Sequence, residues 1–134
     1  MAKRAGVWLF IDTHKPGESR IAWFEKEKPV RIVYIKGRAA AVLPTIAKTW
    51  NKRVAGICVV AGPGSFSSVR AGVLQANLMS RLLRIPLVGI TVAESHDLPV
   101  LAHRLLATRY ALRTSRYVAP IYDQEPNIAI PKPA

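Results

Sequence analysis

The sequence predicts one α/β domain on a mixed five-stranded sheet, with its elements in the order βββαβαβα. Three observations predict it. Short apolar or alternating runs recur between turn residues, and only a few residues separate the first three, as in an antiparallel meander. Stretches with helical apolar spacing then separate the later runs, which is how parallel strands are joined. A glycine- and serine-rich turn, Ala61-Gly62-Pro63-Gly64-Ser65-Phe66-Ser67-Ser68, connects an apolar run to the longest helical pattern.

Val7 to Asp12 is a continuous apolar run ending in an acid and reads as a buried central strand. Thr13 to Glu18 is turn chemistry, Ser19 to Glu25 a second strand, and Glu25 to Pro29 a charged turn. Val30 to Ile35 alternates as a third strand. From Ala39 to Asn51, Ala40, Leu43, Ile46, Ala47 and Trp50 keep helical spacing. Pro44 there requires either a helix starting near Leu43 or an extended piece before it. Val54 to Val60 is the fourth strand, with the one cysteine, Cys58, inside it as a small core residue.

The long helix runs from the serine turn to about Leu83. Gly62 and Gly64 permit unusual backbone angles, Pro63 fixes the turn, and Ser65, Ser67 and Ser68 offer cap hydroxyls. Ala71, Leu74, Leu78 and Leu82 form one stripe, with Phe66, Val69, Val73 and Ala76 beside it. That apolar sector is wider than one buried face requires, so the helix is expected to have a second partner. Ile85 to Ile90 is a fifth strand. Thr91 and Glu94 form a capping pattern, the helix they start is redirected at Pro99, and Val100 to Leu112 continues it. Residues 1–118 are read as the domain and 119–134 as an extended proline-containing tail that is ordered only where it docks. This element order is the ribonuclease H-like layout, which is also the repeating half of actin-like ATPases.

With 134 residues and 50% hydrophobic content the chain suits one globular core. A lone cysteine excludes an intrachain disulfide framework and fits a reducing compartment, so a cytoplasmic location is expected. No apolar stretch reaches the roughly 18 residues of a membrane span, and the start of the chain does not read as a signal peptide. The net charge of +12 points to an anionic partner or to simple solubility.

Hydrolytic chemistry finds little support. His14, His96 and His103 make no HExxH pair, so a metalloprotease is not expected. Ribonuclease H-type cleavage needs several carboxylates around two metals, and here only Asp12 stands at a strand end. It reads better as a turn residue facing a basic neighbour. Ser65 and Ser67 lack a GxSxG elbow. The glycine turn at a helix start is a natural anion site, but the Walker lysine is missing and Phe66 occupies its cradle. The turn therefore reads either as a plain strand-to-helix connection or as the launch of a docking helix. No cofactor or metal is expected.

Gly62-Pro63-Gly64-Ser65-Phe66-Ser67-Ser68-Val69-Arg70-Ala71-Gly72 resembles the GPGSFTGLRIG signature of the TsaB (YeaZ) family, which works in the threonylcarbamoyladenosine modification of tRNA. Ile11-Asp12-Thr13 resembles that family's IDTS start, Val88-Gly89-Ile90-Thr91-Val92 its GVSTL-type strand, and Pro120-Ile121-Tyr122 its P-x-Y ending. The departures are Ser67, Ser68, Ala71, His14, and a length that leaves room for the first of the family's two lobes.

The resemblance implies a non-catalytic scaffold that pairs with a TsaD-like ATPase through helices of the first lobe and works with a TsaE-like ATPase. The partner interface is then expected on Phe66, Val69, Arg70, Val73, Leu74 and Asn77, with Gly62, Pro63, Gly64 and Ser65 as the motif turn. Phe66 and Val69 fit core or interface equally, and Arg70 fits a surface charge or an anchor for an acidic group. A homodimer is expected when the partner is absent. The alternative is a basic tRNA-binding domain, with Arg104, Arg109, Arg113 and Arg116 as the nucleic-acid contacts.

Overall fold

Strand order in the sheet is β3-β2-β1-β4-β5, so the strand that begins the chain lies at its centre. The computed structural model describes residues 6–49, 53–106 and 116–122. β1 (Val7–Lys15), β2 (Glu18–Glu25) and β3 (Lys28–Lys36) form the antiparallel meander, and β4 (Val54–Gly62) and β5 (Leu87–Thr91) add in parallel on the other side of β1. The helices are α1 (Val42–Thr49), α2 (Phe66–Leu83) and α3 (Leu98–Leu106). This is the βββαβαβα order and mixed five-stranded sheet that the periodicity predicts.

Alternation along the strands divides the core into two layers. Leu9, Ile11, Ile21, Trp23, Ile57 and Val59 face one way, toward Val42 and Ile46 of α1 and Val69, Val73 and Ala76 of α2. Phe10, Ala22, Phe24, Cys58, Val60 and Val88 face the other way, toward Leu98, Leu101, Ala102 and Leu105 of α3. β1 and β4 are buried on both faces, which is why they read as unbroken apolar runs. β3 is an edge strand and mostly exposed.

Several boundaries differ from the sequence reading for physical reasons. A 3-10 turn at Ala39–Ala41 precedes α1, which leaves Pro44 in the first helical turn, where its missing N–H costs nothing. The amide of Leu43 donates to Gln75 Oε1 of α2 at 3.1 Å, and Gln75 Nε2 donates back to Ala39 O at 2.9 Å. Thr91 and Glu94 do form the reciprocal cap, with Thr91 N–H to Glu94 Oε1 at 3.0 Å and Glu94 N–H to Thr91 Oγ1 at 3.2 Å. It opens only a 3-10 turn, Ala93–Ser95. α3 starts afresh at Leu98, and Asp97 Oδ1 accepts the Val100 amide at 3.1 Å. Pro99 thus sits in the first turn of a new helix. The expected continuation of that helix through 107–112 lies outside the described residues.

Candidate functional site

Two surfaces bring the sequence-predicted residues together: the glycine turn with α2, and a polar cluster where β1 ends.

β4 carries into the glycine turn as far as Gly62, whose φ of 124° only glycine tolerates well. A Cβ at Gly62 would run into the Ile121 carbonyl, because the tail docks there. Ile121 N–H donates to Ala61 O at 2.6 Å, and Gly64 bridges to Tyr122. Phe66 lies against Tyr122, with ring centroids 4.7 Å apart. The turn is therefore closed by the chain's own tail on one side. On the other side Thr13 Oγ1 donates to Ser68 O at 2.6 Å, and Gly72 lies hard against Thr13. Ser65 occupies the N-cap position, but its hydroxyl makes no cap bond; its carbonyl accepts the Val69 amide at 3.0 Å. Serine capping was the wrong role for this residue. With β1, the tail and Phe66 packed around it, this turn joins parts of the fold rather than cradling a phosphate.

The expected interface residues separate into two groups. Val69 and Val73 are buried in the layer between α2 and the sheet, where no partner side chain can reach them. Asn77 is spent within the fold, donating to Val118 O and accepting the Val118 amide, both at 2.9 Å. These three leave the set of candidate contacts. Phe66 is half-buried, and Arg70 lies over its ring with the guanidinium carbon 5.6 Å from the centroid. Leu74 is 62% exposed, and at four-residue intervals Leu78 is 48% and Leu82 72% exposed, with Leu83 beside them. The open stripe therefore runs along Leu74, Leu78 and Leu82, toward the C-terminal end of α2, further along than the motif pattern indicated. Ala71, the first member of that stripe in the sequence, is half-buried.

At the C-terminal end of β1, Asp12 is buried to 3% exposure. Its Oδ2 takes Arg20 Nε at 2.8 Å, and its Oδ1 meets His14 Nδ1 at 2.6 Å and the His14 amide at 3.1 Å. Burial pushes the Asp12 carboxyl up, but the hydrogen bonds from His14 and Arg20 outweigh it and hold the group below its ordinary value. Arg20 also reaches Ser95 O at 3.0 Å, which ties the end of the sheet to the segment before α3. Asp12 therefore faces basic neighbours, as a turn acid was expected to. Beside it lies a cavity of about 360 Å³, lined by Asp12, His14, Lys15, Arg20, Tyr34 and His96 among others. Sequence reading missed this cavity; the only signal for it was the run of polar residues around the first hairpin. Among the described residues, no three His, Cys, Asp or Glu side chains gather as a metal site.

Of the expected nucleic-acid contacts, Arg104 and Arg116 are exposed, and Arg109 and Arg113 lie outside the described residues. Among the described residues no helix is long and apolar enough to cross a membrane.

The antiparallel meander, two parallel strands and helices on both faces define a ribonuclease H-like domain, the half-unit of the actin-like ATPases. Residues 36–120 match the family model described as TsaD: tRNA N6-adenosine threonylcarbamoyltransferase. That span is well over half of the chain, and the chain belongs to this family. Two solved structures share the fold. One is YeaZ from Pseudomonas aeruginosa, 19% identical, with a TM-score of 0.56 over 67% of this chain and 47% of that one. The other is described as an uncharacterized protein with similarity to peptidase YEAZ from Pseudomonas aeruginosa, 18% identical, with the same TM-score and coverage. In fold the chain is thus TsaB/YeaZ-like, and it spans about half the length of these structures. No curated protein matches the chain.

Proposed function

We propose that this chain is a non-catalytic scaffold in tRNA threonylcarbamoyladenosine formation, docking a TsaD-like catalytic partner on α2 and working beside a TsaE-like ATPase in the cytoplasm. Family membership supports the pathway. The single observation that carries the scaffold role is the exposed row Leu74, Leu78 and Leu82 on a helix whose opposite face is already buried. Fully burying a leucine stabilises by roughly 1.5–3 kcal/mol, and these side chains are partly buried already, so the row supplies a few kcal/mol. Association costs at least about 4 kcal/mol. The partner must therefore bring a matching apolar helix, and Arg70 near the start of the row suits an acidic group on it. The same row can meet its own copy across a two-fold axis when that partner is absent.

Size-exclusion chromatography with a TsaD-family catalytic protein at micromolar concentration tests this reading. A stable complex that Leu78→Glu weakens is the expected result, and no complex at any ratio overturns it.

A second reading, direct contact with tRNA, is favoured by the net charge of +12 and the exposed Arg104 and Arg116. Binding of bulk tRNA that falls steeply between about 50 and 200 mM salt supports it, and no binding at the lower salt disposes of it.

A further inference from the structure

On the face of β3 that looks toward the α3 side of the sheet, two large side chains, Ile32 and Tyr34, are exposed. In the β2–β3 register, Tyr34 lies opposite Arg20 and Ile32 opposite Ala22. Ala22 is wholly buried in the α3-side core, yet Ile32 is 40% and Tyr34 64% exposed. α3 reaches β3, and its His103 Nδ1 meets Glu27 Oε1 of the β2–β3 turn at 2.6 Å, but Ile32 and Tyr34 stay uncovered, an apolar and aromatic surface on an edge strand. The cavity at the end of β1 opens beside it, with Tyr34 as one wall and His14, Lys15, Glu18 and His96 among the others. Lys15, Lys36 and Arg38 are exposed at this end of the sheet, with Glu18 opposite Lys36, whereas Arg20 is paired with Asp12 and Arg31 turns to Thr49 O on the other face.

We infer that this face binds single-stranded RNA, with one base stacked on Tyr34 at the mouth of the cavity and the phosphates drawn by Lys15, Lys36 and Arg38. An aromatic ring on an open sheet face with a cationic rim is what an unstacked strand needs, since every base offers a π-face and every phosphate a charge. The cavity adds donors and acceptors together, Lys15 with Glu18 and two imidazoles, which suits the mixed edge of a base better than a purely acidic ligand. A peptide strand pairing along β3 is the competing occupant. Lys28, Pro29, Arg31 and Lys36 oppose it, because charged residues and proline guard a sheet edge against another strand. The inference rests on the nucleic-acid reading above and says where the strand lies.

The test is fluorescence anisotropy of the full chain with a labelled oligouridylate of about twelve nucleotides, at two salt concentrations. Tyr34→Ala is expected to weaken binding about tenfold, and Tyr34→Phe, which keeps the ring, to leave it within about twofold. Lys36→Glu is expected to weaken binding and flatten its salt dependence. Tyr34 is mostly exposed, so both tyrosine variants are expected to melt like the parent. If Arg104→Glu and Arg116→Glu abolish binding while Tyr34→Ala does not, RNA binds elsewhere and only this inference falls. If the oligouridylate does not bind at low salt, the nucleic-acid reading falls with it. Binding of heparin that competes fully and ignores Tyr34 reduces the face to a charge effect and also overturns the inference.

Discussion

Asn77 and Val118 exchange two hydrogen bonds, side-chain amide to backbone in both directions, each 2.9 Å long. The pair fixes the tail to α2 from 41 residues away, and Val118 itself is buried. Asn77 serves the inside of the fold, although its place in the motif helix suggested an outward role. Asn77→Ala leaves both Val118 backbone groups without their partner, at a cost of about 1–3 kcal/mol. Hydrogen exchange at residues 116–122 is expected to speed up by tenfold or more, with α3 unaffected. Unchanged exchange there means that Tyr122 and Ile121 hold the tail without Asn77.

Neighbouring positions on α2 are expected to divide sharply in mutagenesis. Leu74→Glu and Leu78→Glu place charge on solvent-exposed surface, so stability changes by no more than about 0.5 kcal/mol. Each is expected to weaken a TsaD-like complex tenfold or more. Val73→Glu buries an unpaired carboxylate against the sheet and is expected to unfold the domain instead. Circular dichroism and chromatography on the same samples separate the two effects. A complex unaffected by both leucine variants moves the seam off α2.

Gly72 is a packing glycine rather than a flexible one. A Cβ there would collide with the Thr13 hydroxyl, and it would come within 2.8 Å of Thr13 Cγ2. The hydroxyl is held by Ser68 O on the same helix. Helix propensity alone favours Gly72→Ala by about 1 kcal/mol, whereas overpacking costs typically 1–3 kcal/mol. We expect a net loss in urea melts. Thr13→Ala with Gly72→Ala is expected to lose less than the sum of the single changes, since the first removes the atoms that the second strikes. Additive losses mean that β1 and α2 move apart instead.

The strand and helix order was legible because each element carries its own period, and β1 and β4 are apolar on both faces. The motif turn was legible as a landmark but not as a contact map. Nothing in the order of residues says that Ile121 and Tyr122 close over Gly62 and Gly64, because that contact spans nearly half the chain. The wide apolar sector of α2 was legible as an amount of surface. Which part lies open depends on where α1 and the sheet meet the helix, so the pattern alone leaves Val69 equally fit for core or interface and puts Val73 at the interface, while both lie inside. The cavity by Asp12 was hidden for the same reason. His96 and Tyr34 come to it from different strands and loops, and no spacing in the sequence joins them.

Asp12 makes the domain sensitive to acid in a defined window. Its folded carboxyl titrates below its ordinary value of 3.8 because His14 and Arg20 hold the charged form against the cost of burial. The unfolded chain therefore takes up this proton first as pH falls. The stabilisation is complete above the ordinary carboxylate range and is lost as pH drops from about 4 down through the folded value. Asp12→Asn keeps the volume but cannot titrate, and it leaves Arg20 with a weaker acceptor. At neutral pH the variant is expected to lose about 2–4 kcal/mol, since one partner of a buried pair has gone. Below pH about 4 the gap to the parent is expected to narrow steadily, because the parent loses there what the variant never had. Urea midpoints of both proteins across that range check this. A gap that stays constant as the pH falls means that the Asp12 carboxylate does not contribute through its charge.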